Sequence, residues 1–138
     1  MNGARSVIDT NVLVYADAGD EPARQRQALD LILAHREAGT GVVSTQVLQE
    51  FVNVALRKLR LPAPLIRERL AVYSRFDVVP ASPALIEAAL DLHVLRGVSF
   101  YDALIAQAAV VSGCEVLLSE DFQTGTSLGG VRVVNPFA

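Results

Sequence analysis

The chain has 138 residues, 51% of them hydrophobic and 20% charged, with a formal net charge of −3. That size and apolar content suit a single domain over residues 1–138 and argue against disorder, while the longest apolar stretches, such as 103–111 with Gln107 inside it, are too short to span a bilayer. The acidic balance gives no global field for nucleic acid, so such a partner needs a local basic patch, and a lone Cys114 behind an N-terminus without a leader pattern fits a reducing cytoplasm.

Strand and helix patterns alternate along the chain. The β-branched run SVID (6–9) predicts a first strand, and Leu29, Ile32 and Leu33 recur at helical spacing between Pro22 and Glu37, with Gly39 as the stop. GVVS (41–44) predicts a second strand. Thr45 then opens a helix with an apolar stripe of Leu48, Phe51, Val52, Ala55, Leu56 and Leu59. Pro62 and Pro64 mark a turn before a helix over about 65–75, and FDVVP (76–80) predicts a third strand. Ser82 caps a helix running to Arg96, stopped by Gly97, and the nearly all-apolar segment 99–113 predicts a buried helix. EVLLSED (115–121) and VRVVNP (131–136) complete about five strands. Strands separated by helices imply right-handed crossovers and a parallel sheet covered on both faces, an α/β fold. Cys114 suits a small buried side chain; His35 and His93, far apart in helical stretches, suit surface or boundary positions rather than zinc ligation.

In such folds ligands bind outside the carboxyl ends of the strands, where the strand order reverses. The first strand ends in Asp9, the second in Ser44, the fourth in Ser119, Glu120 and Asp121. Asp9 also suits a helix cap, and Asp121 an ordinary turn residue. Asp102 is the only charged residue between Gly97 and Cys114 and falls in the first turn of an otherwise dry helix. Glu50 shares a helix face with Gln46, Asn53 and Arg57, opposite the apolar stripe, a pattern that also describes a solvated surface.

Asp9 and Asp121 thus end parallel strands, while Glu50 and Asp102 sit near the start of helices leaving the same edge. At about 5 Å and an effective dielectric of about 20, each pair of such carboxylates repels by roughly 3 kcal/mol, so the cluster calls for a compensating cation. Oxygen-only donors without a His or Cys cluster select Mg²⁺ or Mn²⁺ over zinc. Such ions activate water and orient a phosphodiester, which makes metal-assisted phosphodiester hydrolysis the chemistry to expect.

The pieces VIDTNVLVYA, STQVLQEFVNV, SFYDALIAQAA, LLSEDF and VVNPF, in this order across nearly the whole chain, resemble the PIN domain family and, within it, VapC-type toxin ribonucleases. The resemblance implies a three-layer α/β/α fold, Mg²⁺- or Mn²⁺-dependent RNA cleavage, homodimers and a cognate VapB-type antitoxin inserting near the active site. It assigns metal binding to Asp9, Glu50, Asp102 and Asp121, and supporting roles to Asn11, Ser44 and Ser119. The glycine-rich QTGTSLGG after Asp121 departs from the pattern and leaves that acid's position open. Arg57, Lys58 and Arg60 are the candidate basic patch, with a dipole-complementing helix end as the alternative. Leu59, Leu61, Leu65 and Ile66 are candidates for an antitoxin groove, with core packing or a homodimer contact as the alternatives.

Other readings fit less well. A haloacid dehalogenase-type phosphatase wants a second acid two residues after the first, where Asn11 stands, and a phospho-receiver domain wants a late-strand lysine, whereas Lys58 is the only lysine and lies in a helix. A PIN-like RNA-processing nuclease without an antitoxin and a non-catalytic RNA- or protein-binding module remain open alternatives.

Overall fold

A computed structural model describes residues 3–138. In chain order it contains β1 (Ser6–Ile8), α1 (Thr10–Tyr15), α2 (Pro22–Ala38), β2 (Gly41–Ser44), α3 (Thr45–Arg57), α4 (Ala63–Tyr73), β3 (Asp77–Val79), α5 (Pro83–Arg96), α6 (Phe100–Val111), β4 (Val116–Leu118), β5 (Ser127–Leu128) and β6 (Val131–Val134). The sheet order is β3-β2-β1-β4-β6-β5. Five strands are parallel, as the alternating pattern requires; the sixth, β5, runs antiparallel to β6 at the edge. This two-residue strand occupies the glycine-rich segment and is too short to leave a periodic signal.

The chain crosses the sheet from β1 to β2 to β3, then reverses through α5 and α6 to reach β4 on the other side of β1. Right-handed connections therefore place α5 and α6 opposite the earlier helices, giving the expected α/β/α layering. α6 lies across β1, β2, β4 and β6, which explains its apolar sequence, while α2 and α3 pack on β2. The reversal leaves a switch point between β1 and β4, and the Asp9 N–H donates to the Leu118 carbonyl at 3.0 Å there.

Burial explains the strand sequences: Val7, Ile8, Val42, Val43 and Leu117 are fully enclosed, covered on both faces. Phe51, on the α3 stripe, is also enclosed and meets Tyr73 of α4 edge-on at 5.2 Å between ring centres. Gly41 opens β2 because a Cβ there would lie 2.5 Å from the Phe76 ring. Gly39 and Gly97 end α2 and α5 in left-handed conformations, φ 70° and 71°, as the stop signals predict. Asp17 receives a fork of 3.0 Å contacts from Arg69, tying the end of α1 to α4.

Several side chains sit differently from expectation. His35 is buried rather than superficial, its Nδ1 hydrogen-bonded to the Thr40 hydroxyl, because α2 leans its last turns on β2. Ile66 is core, and Leu61 packs against it, so these two supply core packing, whereas Leu56 is exposed and borders a groove with Ala63, Arg67 and Leu70. Cys114 is buried, as expected. Among the described residues no single helix is long and apolar enough to cross a membrane.

Candidate functional site

At the carboxyl edge of the sheet lies a cleft of about 480 Å³ whose walls include Asp9, Asn11, Glu50, Asp102, Glu120 and Asp121. All four acids singled out in the sequence reach it, from four separate segments. Asp9 follows β1 and N-caps α1: its Oδ1 accepts from the Thr10 N–H at 2.7 Å and its Oδ2 from the Ser119 hydroxyl at 2.6 Å. It is only 7% exposed. Burial pushes its carboxyl pKa up to about 6, against the lowering hydrogen bonds from Ser119 and Thr10 and with the negative charges of Asp121 and Glu50 adding to the rise.

Ser119 is wholly buried and works in two directions. While donating to Asp9 it accepts from the Asp121 N–H at 3.0 Å, so one hydroxyl fixes both the first acid and the turn carrying the last. Asn11 Nδ2 reaches the same hydroxyl at 3.5 Å, and the Asn11 side chain also hydrogen-bonds the Asp121 carboxylate. Burial again raises the Asp121 pKa, opposed by that Asn11 bond and assisted by Glu120, Asp102 and Glu50. Asn11 Oδ1 is buried without a partner among the described residues, an acceptor left over in a polar site.

Glu50 comes from the polar face of α3, where Gln46, Glu50, Asn53 and Lys58 all border the cleft. The face that reads as solvated in the sequence is a wall of the site. Thr10 Oγ1 donates to Glu50 Oε1 at 2.7 Å and links α1 to α3. Asp102 lies in the first turn of α6, whose N-cap Ser99 accepts from the Asp102 N–H at 3.1 Å. Its own carboxylate has no hydrogen-bond donor among the described residues.

Ser44 does not reach the cleft. It is buried at the end of β2 and its hydroxyl accepts from the Val47 N–H at 3.1 Å, capping the helix that carries Glu50. Glu120 does reach it, but its charge is already met: Arg24 Nη1 lies 3.0 Å from Glu120 Oε2, and Tyr15 donates to Glu120 Oε1 at 2.6 Å. The same Arg24 nitrogen donates to Tyr15 Oη at 2.6 Å, its guanidinium lying over the Tyr15 and Phe137 rings. Sequence reasoning missed Tyr15, Arg24 and Gln46 as parts of this edge; the residual signals were a tyrosine within VIDTNVLVYA and a glutamine four residues before Glu50 on one helix face.

Arg57, Lys58 and Arg60 are exposed at and beyond the end of α3, and of the three only Lys58 borders the cleft. Among the described residues no three acidic, His or Cys side chains close on one point as ligands of a single ion. Asp9 is engaged by Ser119 and Thr10, and Glu50 by Thr10. The four carboxylates share the cleft, with oxygen the only donor element among them.

The sequence matches the PIN domain model over residues 6–123. No curated protein matches the chain. Among solved structures, a toxin–antitoxin complex from Klebsiella pneumoniae superimposes with a TM-score of 0.72 at 20% identity, covering 95% of this chain and 97% of that one. A VapC toxin from Mycobacterium tuberculosis, described as cleaving the sarcin-ricin loop, gives 0.69 at 22% identity over 92% and 98%. VapBC2 from Rickettsia felis, bound to a DNA fragment from its promoter, gives 0.63 at 19% over 94% and 97%. Identities this low establish a shared fold.

Proposed function

The chain belongs to the PIN domain family, and from that premise we propose that it is a Mg²⁺- or Mn²⁺-dependent endoribonuclease, the toxin of a VapBC-type toxin–antitoxin pair. The observation that carries this reading is the meeting of Asp9, Glu50, Asp102 and Asp121, from four segments, in one cleft at the switch point of the sheet. Among the described residues no lysine or arginine is paired with any of the four carboxylates, and their all-oxygen donor set fits a hard divalent ion. The unpaired Asn11 Oδ1 adds a neutral oxygen acceptor to the same edge.

Asp9, Glu50, Asp102 and Asp121 would hold the ion. When bound, it supplies an activated water and charge stabilisation for the departing oxygen of the phosphodiester. The chain's own contribution is order: Ser119 fixes Asp9 relative to Asp121, Thr10 fixes Glu50, and Arg24 with Tyr15 keeps Glu120 from adding a fifth free negative charge. Lys58, at the other end of the cleft wall, offers the cation that an RNA phosphate needs on an acidic protein.

The toxin part of the proposal draws on the named neighbours, which include toxin–antitoxin complexes. Exposed apolar side chains suit such a partner and a homodimer: Leu29 and Leu33 on α2, Leu56 on α3, Val94 and Leu95 on α5. An antitoxin cation placed among the four acids would replace the metal's charge and block the cleft. A cytoplasmic location completes the proposal, in keeping with the free, buried Cys114.

The test is cleavage of a panel of purified RNAs by the purified chain with Mg²⁺, Mn²⁺ or EDTA. Cleavage with either metal and none in EDTA is expected. Binding without cleavage under every condition would replace the nuclease reading with that of an RNA-binding module, and full, unrestrained activity in cells lacking any partner would remove the toxin assignment alone.

A further inference from the structure

The polar groups of the cleft fall into two sets. Near β1 and β4 most are committed: Asp9, Thr10, Tyr15 and Glu120 are hydrogen-bonded to one another, to Glu50, to Arg24 or to the buried Ser119 behind them. Elsewhere along the cleft the exposed Asn53 and Lys58, on the α3 side, and the 63%-exposed Tyr101, at the start of α6, have no side-chain hydrogen bond or ion pair among the described residues. Tyr101 precedes Asp102 in the first turn of α6, its one ring contact among the described residues being the Phe100 ring, edge-on at 5.5 Å between ring centres, so a largely exposed aromatic surface lies beside the acidic centre. Lys58 is the only lysine of the chain.

We propose that Tyr101, Lys58 and Asn53 form a subsite for one unpaired nucleotide of the RNA, its base on the Tyr101 ring, its phosphate on Lys58 and its base edge on Asn53. The inference rests on the ribonuclease reading above and specifies how that substrate is seated. An aromatic plane, a cation and a free amide are the groups that recognise a nucleotide out of its helix, since base stacking needs a π-face that a duplex keeps occupied. A protein segment would not need all three. The subsite makes the enzyme selective for looped or single-stranded RNA without any global positive field.

Two measurements test this on the full chain. In steady-state cleavage with Mn²⁺, Tyr101→Ala is expected to raise KM roughly tenfold or more while Tyr101→Phe and Tyr101→Trp, which keep a ring, stay near wild type; kcat changes little, because the ring does not touch the reacting atoms. Lys58→Ala should raise KM and flatten its salt dependence. Since the chain has no tryptophan, Tyr101→Trp is also a single reporter: rapid mixing with a short unpaired RNA should quench its fluorescence, and the same RNA annealed to its complement should not. An unchanged KM in Tyr101→Ala, or equal quenching by duplex, overturns the subsite. So does a change in oligomeric state in Tyr101→Ala with KM intact, which would assign the ring to contact between copies, or weakened binding of a protein partner alone. If no RNA is cleaved by wild type, the ribonuclease reading fails, while quenching by unpaired RNA still decides the subsite.

Discussion

Thr10 Oγ1 donates to Glu50 Oε1 at 2.7 Å, joining the first residue of α1 to the middle of α3 across 40 positions of sequence. Because Asp9 immediately precedes Thr10 and accepts from its N–H, one residue positions two of the four acids. Thr10→Val keeps the shape and removes the hydroxyl. It is expected to weaken Mn²⁺ affinity or cleavage roughly 10- to 100-fold, the usual effect of losing a group that orients a ligand, with Thr10→Ser restoring most of it. Equal affinity and cleavage in Thr10→Val would show that the bond is incidental.

Asp9 makes metal-free stability depend on pH. Its folded-state pKa of about 6 lies above the 3.8 of an unperturbed carboxyl, so ionisation opposes folding: the stabilising contribution is complete below pH about 4 and lost as pH rises through about 6. In EDTA, Asp9→Asn should therefore be more stable than wild type at pH 7, by on the order of 2–3 kcal/mol, with the difference vanishing near pH 4. Urea unfolding across that range measures it. A variant less stable at pH 7 would mean that the hydrogen bonds from Ser119 and Thr10 outweigh the cost of burying the charge.

The ends of strands were legible from sequence because a charged residue closing an apolar run is conspicuous: Asp9 directly follows β1, whereas β4 stops at Leu118 and Asp121, expected to end that strand, lies in the turn three residues beyond it. Glu50 was ambiguous for a physical reason: helical periodicity distinguishes the core face from the rest, and it does not separate bulk solvent from a cleft. Ser44 was placed correctly at its strand end, yet it serves as a cap, since a hydroxyl at a strand–helix junction satisfies the helix whether or not a site adjoins it. The Tyr15–Arg24–Glu120 group joins residues as far as 105 positions apart, and no local pattern encodes such a pair.

That group predicts a contrast between adjacent acids. Glu120 is already paired with Arg24, whereas among the described residues the Asp121 carboxylate has the Asn11 amide and no cation. Glu120→Gln should retain most cleavage activity and Asp121→Asn should lose it. Equal loss in both, at unchanged melting temperature, would move Glu120 into the metal site.

Metal linkage gives a readout independent of activity. An ion bound only by the folded chain raises the melting temperature with its concentration, so millimolar Mn²⁺ or Mg²⁺ should stabilise wild type at pH 7 and do so less at pH 5, where Asp9 is mostly protonated and protons compete for it. The shift should shrink sharply in Asp9→Asn. A shift of the same size in wild type and variant would place the ion elsewhere.

The most direct measurement of the central claim, that four acids from four segments make one metal-dependent nuclease site, is cleavage of a single susceptible RNA by wild type and by Asp9→Asn, Glu50→Gln, Asp102→Asn and Asp121→Asn, each shown to be folded and each assayed with Mn²⁺ and with EDTA. The expected result is metal-dependent cleavage by wild type, its near-complete loss in the three Asp variants and a marked loss in Glu50→Gln. Cleavage that survives in EDTA, or wild-type rates in any of the three folded Asp variants, would contradict it.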